Sequence, residues 1–244
     1  MMHNKLNIAL IGYGKMGKTI EILAEEKGHS IGLKTNSQNP LHQNLHLLDN
    51  IDVAIEFTNP DIASKNLETL ASHGVKTVCG STGWLDEYKR ISALYDQHNS
   101  AFLYASNFSI GVNIFFALNK KLAKLMTNKS DYKVSMVESH HISKKDAPSG
   151  TAVSLAEHII QNHQAYNNWQ LKSSECNTDE ISIEAIREGD VKGMHQISYR
   201  SEIDEIVIKH EAFNRNGFAL GAIMAAEFIA NKKGIFNMND VLDL

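Results

Sequence analysis

Cysteine and proline are scarce in this sequence, and long apolar runs are absent. Of the 244 residues, two are cysteines and three are prolines. Cys79 and Cys176 lie far apart and form no CxxC pair, so the sequence predicts two free thiols and argues against a disulfide framework or a zinc knuckle. No segment approaches the roughly 18 apolar residues of a membrane-spanning helix. Disulfide scaffolds and helical membrane proteins are therefore excluded.

An excess of positive charge is also absent. The chain carries 24 Lys and Arg against 28 Asp and Glu, a formal net charge of −4. Such a protein has no global positive field to hold a polyanion or an anionic membrane surface, so we expect neither nucleic acid nor membranes as partners. The first residues do not form a basic patch followed by an apolar stretch, and we expect a cytoplasmic protein.

The composition is that of an ordinary globular protein, with 43% hydrophobic and 21% charged residues, and the length suits one large or two modest domains. In the first hundred residues, short apolar runs alternate with amphipathic segments. The predicted strands cover residues 6–11, 29–34, 51–58, 75–79 and 101–105, and the predicted helices cover 15–27, 61–73 and 85–99. This alternation predicts an α/β fold with a Rossmann-type, doubly wound parallel sheet.

After about residue 110 the pattern changes to one of an α+β domain with a mixed sheet. The predicted helices there cover residues 112–126 and 152–163, and the predicted strands cover 132–139, 181–187, 193–201 and 205–210. The last three strands alternate apolar and polar residues, so one face of the sheet should meet solvent or a partner. An apolar helix over 219–231 is expected to return to the first domain. The predicted domains are residues 1–109 with 219–244, and residues 110–218.

A glycine-rich loop joins the first predicted strand to the first predicted helix, which is the setting that the GxGxxG pattern requires. Gly12 permits the tight turn, Gly14 lets a pyrophosphate approach the backbone, and Gly17 allows close packing of helix on strand. A purely structural glycine turn is the alternative. We predict dinucleotide binding by Gly12, Tyr13, Gly14, Lys15, Met16 and Gly17.

The carboxylate that usually accepts the ribose hydroxyls of NAD is missing from its expected place. No Asp or Glu lies between Glu26 and Asp49, and the second predicted strand ends in Lys34 followed by Thr, Asn and Ser. Lys34 could pair with a 2′-phosphate, or it could be a solvated surface lysine. We predict that NADPH is used at least as well as NADH.

The segment over residues 138–151 combines acidic, basic and anion-binding residues. His140 and His141 would point to opposite faces of a continuing strand, and no HExxH spacing is present, so no metal site is expected. One of these histidines could donate a proton, with Lys144 nearby in the loop. Arg187, His195 and Arg215 are interpreted as surface or structural residues on their spacing.

A predicted helix begins directly after this loop. Its backbone N–H groups at Gly150 and Thr151, with the hydroxyls of Ser149 and Thr151, could receive a carboxylate. A helix cap after a polar loop is the alternative interpretation. Two further polar segments follow predicted strands, where open α/β sheets bind ligands. They are Gly80-Ser81-Thr82 and Ala105-Ser106-Asn107-Phe108.

Together these segments resemble the 4-hydroxy-tetrahydrodipicolinate reductase (dihydrodipicolinate reductase) family over nearly the whole chain. The block HHxxKxDAPSGT over residues 140–151 is the most specific match. The other similar pieces are GYGKMG at 12–17, EFTNP at 56–60, CGSTG at 79–83, ASNFSIGVN at 105–113 and the terminal residues 236–244.

The resemblance implies NADPH- or NADH-dependent reduction of a cyclic dicarboxylate, 4-hydroxy-tetrahydrodipicolinate, with loss of water, in diaminopimelate and lysine biosynthesis. It implies that His140 and Lys144 are the catalytic pair, and it leaves open which of them delivers the proton. His141, Gly150 and Thr151 match substrate-carboxylate contacts. The implied cofactor contacts after the strands are Phe57, Thr58, Gly80, Ser81, Thr82, Ala105, Ser106, Asn107 and Phe108.

The resemblance also implies a homotetramer assembled through the sheet of the second domain, which would bind substrate while the first domain binds the dinucleotide. Two other functions remain open. Another two-domain amino-acid dehydrogenase would account for the glycine loop, but it would leave the block over 138–151 unexplained. A non-catalytic NADPH-binding sensor would have no use for the proton-donating and anion-binding residues.

Overall fold

The computed structural model describes residues 5–172, 177–214 and 216–244. Cys176 and Arg215, both considered above, lie outside these ranges. Cys79 is a buried free thiol. Within the described residues, no helix is both long and apolar enough to cross a membrane.

The chain divides into two compact units. The first contains Met1–Ile110 and Asn216–Leu244, and the second contains Gly111–Arg215. These boundaries lie one residue and three residues from the predicted ones. The second boundary is earlier than predicted because the last long helix begins at Asn216.

The elements follow one another in three stretches of the chain. The first stretch contains β1 (Asn7–Ile11), α1 (Lys15–Glu26), β2 (Ser30–Thr35), β3 (Val53–Glu56), α2 (Pro60–Ser72), β4 (Lys76–Cys79), α3 (Tyr88–Gln97) and β5 (Ala101–Tyr104). The second contains α4 (Ile110–Met126), β6 (Lys133–His140), α5 (Gly150–Asn162), β7 (Asn168–Leu171), β8 (Glu180–Arg187), β9 (Met194–Arg200) and β10 (Glu205–Glu211). The third contains α6 (Asn216–Ile229), β11 (Gly234–Phe236) and α7 (Met238–Leu242), and short 3-10 turns cover Leu41–Gln43, Leu45–Asn50 and Leu85–Glu87.

The first unit is a parallel six-stranded sheet with the order β11-β5-β4-β3-β1-β2. Helices cover both of its faces. Ile8 and Leu10 pack in a cluster with residues of α1 and α6, whereas Ala9 and Ile11 pack in one that includes Leu70 of α2. The Rossmann-type, doubly wound fold is therefore confirmed, and α6 packs on this sheet as expected.

The order of the strands in this sheet determines where its ligand crevice lies. β1 pairs with β2 on one side and with β3 on the other, so the chain reverses its direction of winding at β1. Ligands of open α/β sheets bind outside the carboxyl ends of the strands at such a point. The loops that follow β1 and β3 contain the predicted residues Gly12 and Phe57.

The second unit contains the predicted mixed sheet, with the order β10-β9-β6-β8-β7. β6 runs parallel to β8 and antiparallel to β9. Its inward residues Val134 and Met136 pack with α4 and α5 in one core cluster, while Lys133 and Ser135 on the opposite face are exposed. The fold class of the second unit is confirmed.

Three elements were not predicted: β7, β11 and α7. They span four, three and five residues, which is too short for a strand or helix period to be recognised. The predicted helix over 85–99 is also shorter than expected, because its first turn is the 3-10 turn Leu85–Glu87.

Candidate functional site

The glycine loop forms a tight turn that packs against the segment after β3. Gly12 has a φ of +97°, and a Cβ atom there would lie 2.2 Å from the carbonyl oxygen of Phe57. A Cβ at Gly17 would lie 2.8 Å from the carbonyl oxygen of Gly12. Both positions therefore require glycine. A Cβ at Gly14 would meet no atom of the described residues within 4 Å, so open space borders the start of α1, where a pyrophosphate is expected.

A pocket of about 600 Å³ lies at the carboxyl ends of β1 and β3. The predicted residues that line it are Gly12, Tyr13, Gly14, Phe57 and Thr58. Other residues that line the pocket were not predicted from the sequence. Among them, His42 lies on a 3-10 turn, and Lys65, Asn66 and Thr69 lie on α2. The helix itself was predicted over residues 61–73, but its period does not show which of its exposed residues face a pocket.

Lys34 is not among the residues that line this pocket. Its Nζ lies 2.8 Å from Oε1 of Glu21 on α1 and 5.1 Å from the centroid of the Tyr13 ring. The Tyr13 hydroxyl donates a hydrogen bond to the same carboxylate. Hydrogen bonds from Lys34 and Tyr13 lower the pKa of Glu21, so the carboxylate is ionised and offsets the lysine charge. Glu21 lies on the preceding helix, outside residues 26–49, where an acidic ribose-binding residue is expected.

Hydrogen bonds connect the loops after β3 and β4 to each other and to a buried carboxylate. Glu56 is fully buried and accepts hydrogen bonds from the backbone and hydroxyl of Thr58 and from the Cys79 thiol. The Ser81 hydroxyl accepts from the Thr58 N–H at 2.7 Å. Burial and the Glu56 charge raise the pKa of the Cys79 thiol well above its ordinary value, so this cysteine is not a nucleophile.

Gly80 and the segment after β5 complete this edge of the sheet. A Cβ at Gly80 would lie 2.1 Å from the Phe57 ring. The Phe57 ring in turn packs edge-on against Phe108, with centroids 5.7 Å apart. Phe108 is buried in the core, whereas Ser106 is exposed and Asn107 is half-buried. Of this predicted segment, Ser106 and Asn107 are therefore more accessible to a cofactor than Phe108.

In the second unit, strand register places four polar side chains on one face of the sheet. Glu138 and His140 are two residues apart on β6, so both point inward. His195 of β9 lies opposite Glu138, and Arg187 of β8 lies opposite His140. The interpretation of Arg187 and His195 from their spacing alone was incomplete, because sheet pairing brings both beside the predicted catalytic histidine.

Glu138 is the centre of this group. It is fully buried, and its Oε1 accepts hydrogen bonds from Arg187 Nη2 at 2.8 Å and from the Ser149 N–H at 3.0 Å. Burial alone would raise the pKa of Glu138. The hydrogen bonds from Ser149 and Arg187 outweigh burial and lower the pKa below its ordinary value, so the carboxylate is ionised.

His140 lies beside this carboxylate. Its Nδ1 is 3.6 Å from Oε2 of Glu138, and its ring packs edge-on against His195 with centroids 5.1 Å apart. Burial lowers the pKa of His140, and the Glu138 charge opposes this shift only in part. Burial also lowers the pKa of His195 to about 4. Both imidazoles are therefore neutral at pH 7.

The loop after β6 contains the other predicted reactive residues. β6 ends at His140, so His141 belongs to the loop rather than to the strand, and its Nδ1 lies 2.8 Å from the Ser143 hydroxyl. Lys144 is half-buried, and its Nζ lies 2.8 Å from Oδ1 of Asp146. This ion pair holds the ammonium group within the loop.

The loop ends at the N-terminus of α5. The Ser149 hydroxyl accepts a hydrogen bond from the Ala152 N–H at 3.3 Å, and its own N–H is donated to Glu138. Ser149 is therefore the helix cap, and because it is 3% exposed its hydroxyl is scarcely accessible to a ligand. Gly150 is exposed and Thr151 half-exposed, and these two remain accessible to a carboxylate.

The group also includes the residue types that bind metals. Glu138, His140 and His195 each offer one atom, and these atoms lie within 4.8 Å of one another. Residue spacing does not reveal this cluster, because His195 comes from another strand. Arg187, however, already places a positive charge 2.8 Å from the one anionic member. That charge opposes a divalent cation, and the expectation of no metal site stays a prediction.

Comparison with known proteins gives a consistent result over both units. Family models for the N-terminus and the C-terminus of dihydrodipicolinate reductase match residues 6–108 and 111–242. The 4-hydroxy-tetrahydrodipicolinate reductase of Christiangramia forsetii is 48% identical over 238 residues, covering 97% of this chain and 98% of that protein. The protein of the same name from Rickettsia bellii is 37% identical, covering 96% and 94%.

Solved structures show the same fold. A dipicolinate-bound dihydrodipicolinate reductase from Paenisporosarcina sp. TG-14 superposes with a TM-score of 0.72 at 23% identity, covering 96% of this chain and 97% of that one. An amine dehydrogenase from Mycobacterium smegmatis has a TM-score of 0.64 at 11% identity, covering 98% and 97%. At these identities the likeness supports the architecture alone.

Proposed function

Because this chain belongs to the dihydrodipicolinate reductase family, we propose how its own residues carry out the reaction of that family. The chain is an NAD(P)H-dependent oxidoreductase that reduces 4-hydroxy-tetrahydrodipicolinate in diaminopimelate and lysine biosynthesis. The 48% identity over nearly the full length of a curated relative is the observation that carries this function. The test is loss of nicotinamide absorbance when the substrate, generated by the preceding synthase, is added. A well-folded protein that binds NADPH but leaves it unoxidised would instead be a sensor.

The first unit is proposed to bind the cofactor, whose reduced nicotinamide ring supplies the hydride. Gly14 and the start of α1 suit the pyrophosphate, because a Cβ atom there would fill the open space beside the helix N-terminus. Tyr13, Lys15 and Met16 are the neighbours of Gly14 in the chain and are proposed to contact the phosphates, and the pocket that Tyr13 and Gly14 line suits the adenosine end. Gly80, Ser81 and Thr82, with residues 105–107, are proposed for the nicotinamide end.

The second unit is proposed to bind the substrate. A dianionic ring requires positive charge and N–H donors, and both are present around the loop after β6. Gly150 and Thr151 begin a helix of 13 residues, whose N-terminus favours a carboxylate. His141 and Lys144 supply further donors from the loop. Ser149 is proposed to act through the cap that orients this helix start.

Lys144 is proposed to deliver the proton. Its ammonium group is a proton donor that the ion pair with Asp146 holds in the loop, whereas burial keeps the His140 imidazole neutral before substrate binds. A dianion beside His140 would favour protonation of the imidazole. His140 would then stabilise the negative charge that develops on the substrate as hydride is transferred.

NADPH is proposed to be used at least as well as NADH, through Lys65 rather than Lys34. Lys65 is on the pocket wall, whereas the charge of Lys34 is offset by Glu21. We expect Lys65→Ala to raise KM for NADPH roughly tenfold and to leave KM for NADH nearly unchanged, since a charge-assisted contact contributes about 1.5–3 kcal/mol. Steady-state kinetics with both cofactors measure this.

Lys34→Ala is the matched control for the cofactor prediction. It removes a lysine that lies outside the pocket wall, so KM for NADPH should change by less than about threefold. A clear preference of the unaltered protein for NADH, or a larger NADPH effect at Lys34 than at Lys65, would contradict this assignment.

A homotetramer is proposed, assembled through the face of the second unit's sheet that lies opposite α4 and α5. Apolar residues occur on that face: Val137 and Ile186 are half-buried and Val207 is 44% exposed. Light scattering should give four times the chain mass of 27.2 kDa. Val207→Glu should dissociate the assembly, because it places charge in an apolar contact. Ile22→Glu, at an exposed site on α1, should not.

A monomeric mass for the unaltered protein would refute this assembly.

The proposed location is the cytoplasm, where the buried thiol of Cys79, which forms no disulfide, would stay reduced. The net charge of −4 disfavours nucleic acid and anionic membranes as partners, and the positive charge that a small anionic substrate needs is supplied locally, as at Lys144.

A further inference from the structure

The proposed chemistry does not use three polar residues of the second unit that are buried or half-buried. Glu138 is fully buried, His195 is 4% exposed and the Arg187 side chain is 18% exposed. Burying a carboxylate and a guanidinium is costly unless their geometry is well satisfied. The three residues lie directly beside His140, where such groups can affect the reaction without touching the substrate.

The Glu138 carboxylate connects three elements. It extends from β6, accepts hydrogen bonds from Arg187 of β8, and accepts the Ser149 N–H at the start of α5. Arg187 also donates to the Asp146 carbonyl oxygen in the loop between β6 and α5. Glu138 and Arg187 thus tie the C-terminal part of the loop that contains His141 and Lys144 to the sheet.

The other carboxylate oxygen faces the imidazoles. Oε2 lies 3.6 Å from His140 Nδ1 and 4.0 Å from His195 Nδ1, and neither nitrogen has a hydrogen-bond partner among the described residues. A contact of 3.6 Å is slightly longer than a hydrogen bond, and contacts of catalytic groups often tighten only when substrate binds. His140 is also faced by Lys144 and Asp146 from the loop and by Arg187 from β8.

We propose that Glu138 is a positioning residue for this reaction, holding His140 in the tautomer with the proton on Nδ1 while Arg187 and Ser149 hold the carboxylate in place. This inference rests on the proposed function of His140. With Nδ1–H directed to Glu138, Nε2 is the nitrogen left to face the substrate, and it is the nitrogen that gains a proton when the dianion binds. The edge-on ring of His195 limits rotation of the His140 ring, so the imidazole has one orientation relative to the loop.

Nitrogen-15 NMR of histidine-labelled protein tests the tautomer without substrate, with the His140 signal assigned from His140→Gln. The expected result is protonated Nδ1 and unprotonated Nε2 above pH 7. The opposite tautomer in the unaltered protein would overturn the proposal. This measurement needs no activity, so its failure is distinct from failure of the proposed function.

Kinetics of Glu138→Gln provide the second test. The amide keeps the shape but loses the charge, so we expect kcat to fall roughly ten- to hundredfold, part of the 10²–10⁴ that acid–base groups contribute. KM for the dicarboxylate should stay within about threefold, and the His140 signals should show a mixture of tautomers. Equal kcat in the variant and the unaltered protein would contradict the proposal.

Glu188→Gln is the matched control. Glu188 lies just beyond β8 and accepts a hydrogen bond from Ser139, which points to the other face of β6. The same chemical change there should leave both kcat and the tautomer unchanged.

Metal binding by Glu138, His140 and His195 would give a different result. Activity that is lost with EDTA and restored by Zn²⁺ would overturn the positioning role.

Discussion

Replacing Lys144 with alanine is expected to lower kcat by roughly 10²–10⁴, the usual contribution of a positioned acid or base. The variant removes the ammonium group that pairs with Asp146 at 2.8 Å, and with it the proposed proton donor. His140→Gln should lower kcat by a similar factor, because it removes the imidazole that would stabilise developing charge. Oxidation of NADPH at saturating substrate measures both effects.

Lys145→Ala is the matched control for Lys144. It removes the next lysine, which is exposed and belongs to the same loop, so it changes the loop charge equally. We expect kcat to change by less than about threefold. If Lys144→Ala and His140→Gln both kept the kcat of the unaltered protein, the two residues would not be the catalytic pair, although the protein would still be an active reductase.

The second large effect is expected for stability, at Gly221 on α6. A Cβ atom there would lie 1.7 Å from the carbonyl oxygen of Phe108 and 2.8 Å from its carbonyl carbon. These are backbone atoms, which cannot rotate away as a side chain can. Gly221→Ala should therefore lower the free energy of unfolding by about 3 kcal/mol or more. The midpoint of urea unfolding measures this change.

Gly217→Ala on the same helix separates the clash from the loss of glycine itself. The nearest atom to a Cβ at Gly217 is the Ser109 hydroxyl oxygen at 3.8 Å, an ordinary contact. Alanine also favours a helix over glycine by up to about 1 kcal/mol. The urea midpoint of this control should be unchanged or slightly higher. Equal midpoints for Gly221→Ala and the unaltered protein would show that α6 can move away from Phe108.

The Rossmann-type unit could be predicted because its signals are local. Apolar runs such as residues 6–11 and 101–105 mark buried strands, and helical spacing marks the segments between them. Gly12 and Gly17 could also be identified, because a strand, a tight turn and a helix follow one another directly. The observed boundaries of helices and strands differ from the predicted ones by a few residues where a cap or a 3-10 turn ends an element, as at Leu85–Glu87.

The chemistry-bearing residues of the second unit were also visible in the sequence. His140, Lys144, Gly150 and Thr151 lie in one short segment, and a resemblance to a family assigned them roles that spacing alone left open. The use of Ser149 as a cap was one of two alternatives, and the structure favours it because the hydroxyl accepts from Ala152.

The type of each unit and the segments that carry its reactive groups follow from the order of the residues, since strand and helix periods and turn residues depend on near neighbours. The folded chain was needed to see that Glu21 neutralises Lys34, and that Arg187 and His195 gather around Glu138 beside His140. These pairings join residues 13 to 57 positions apart. Strand register and helix packing set such contacts, and no local pattern of residues encodes them.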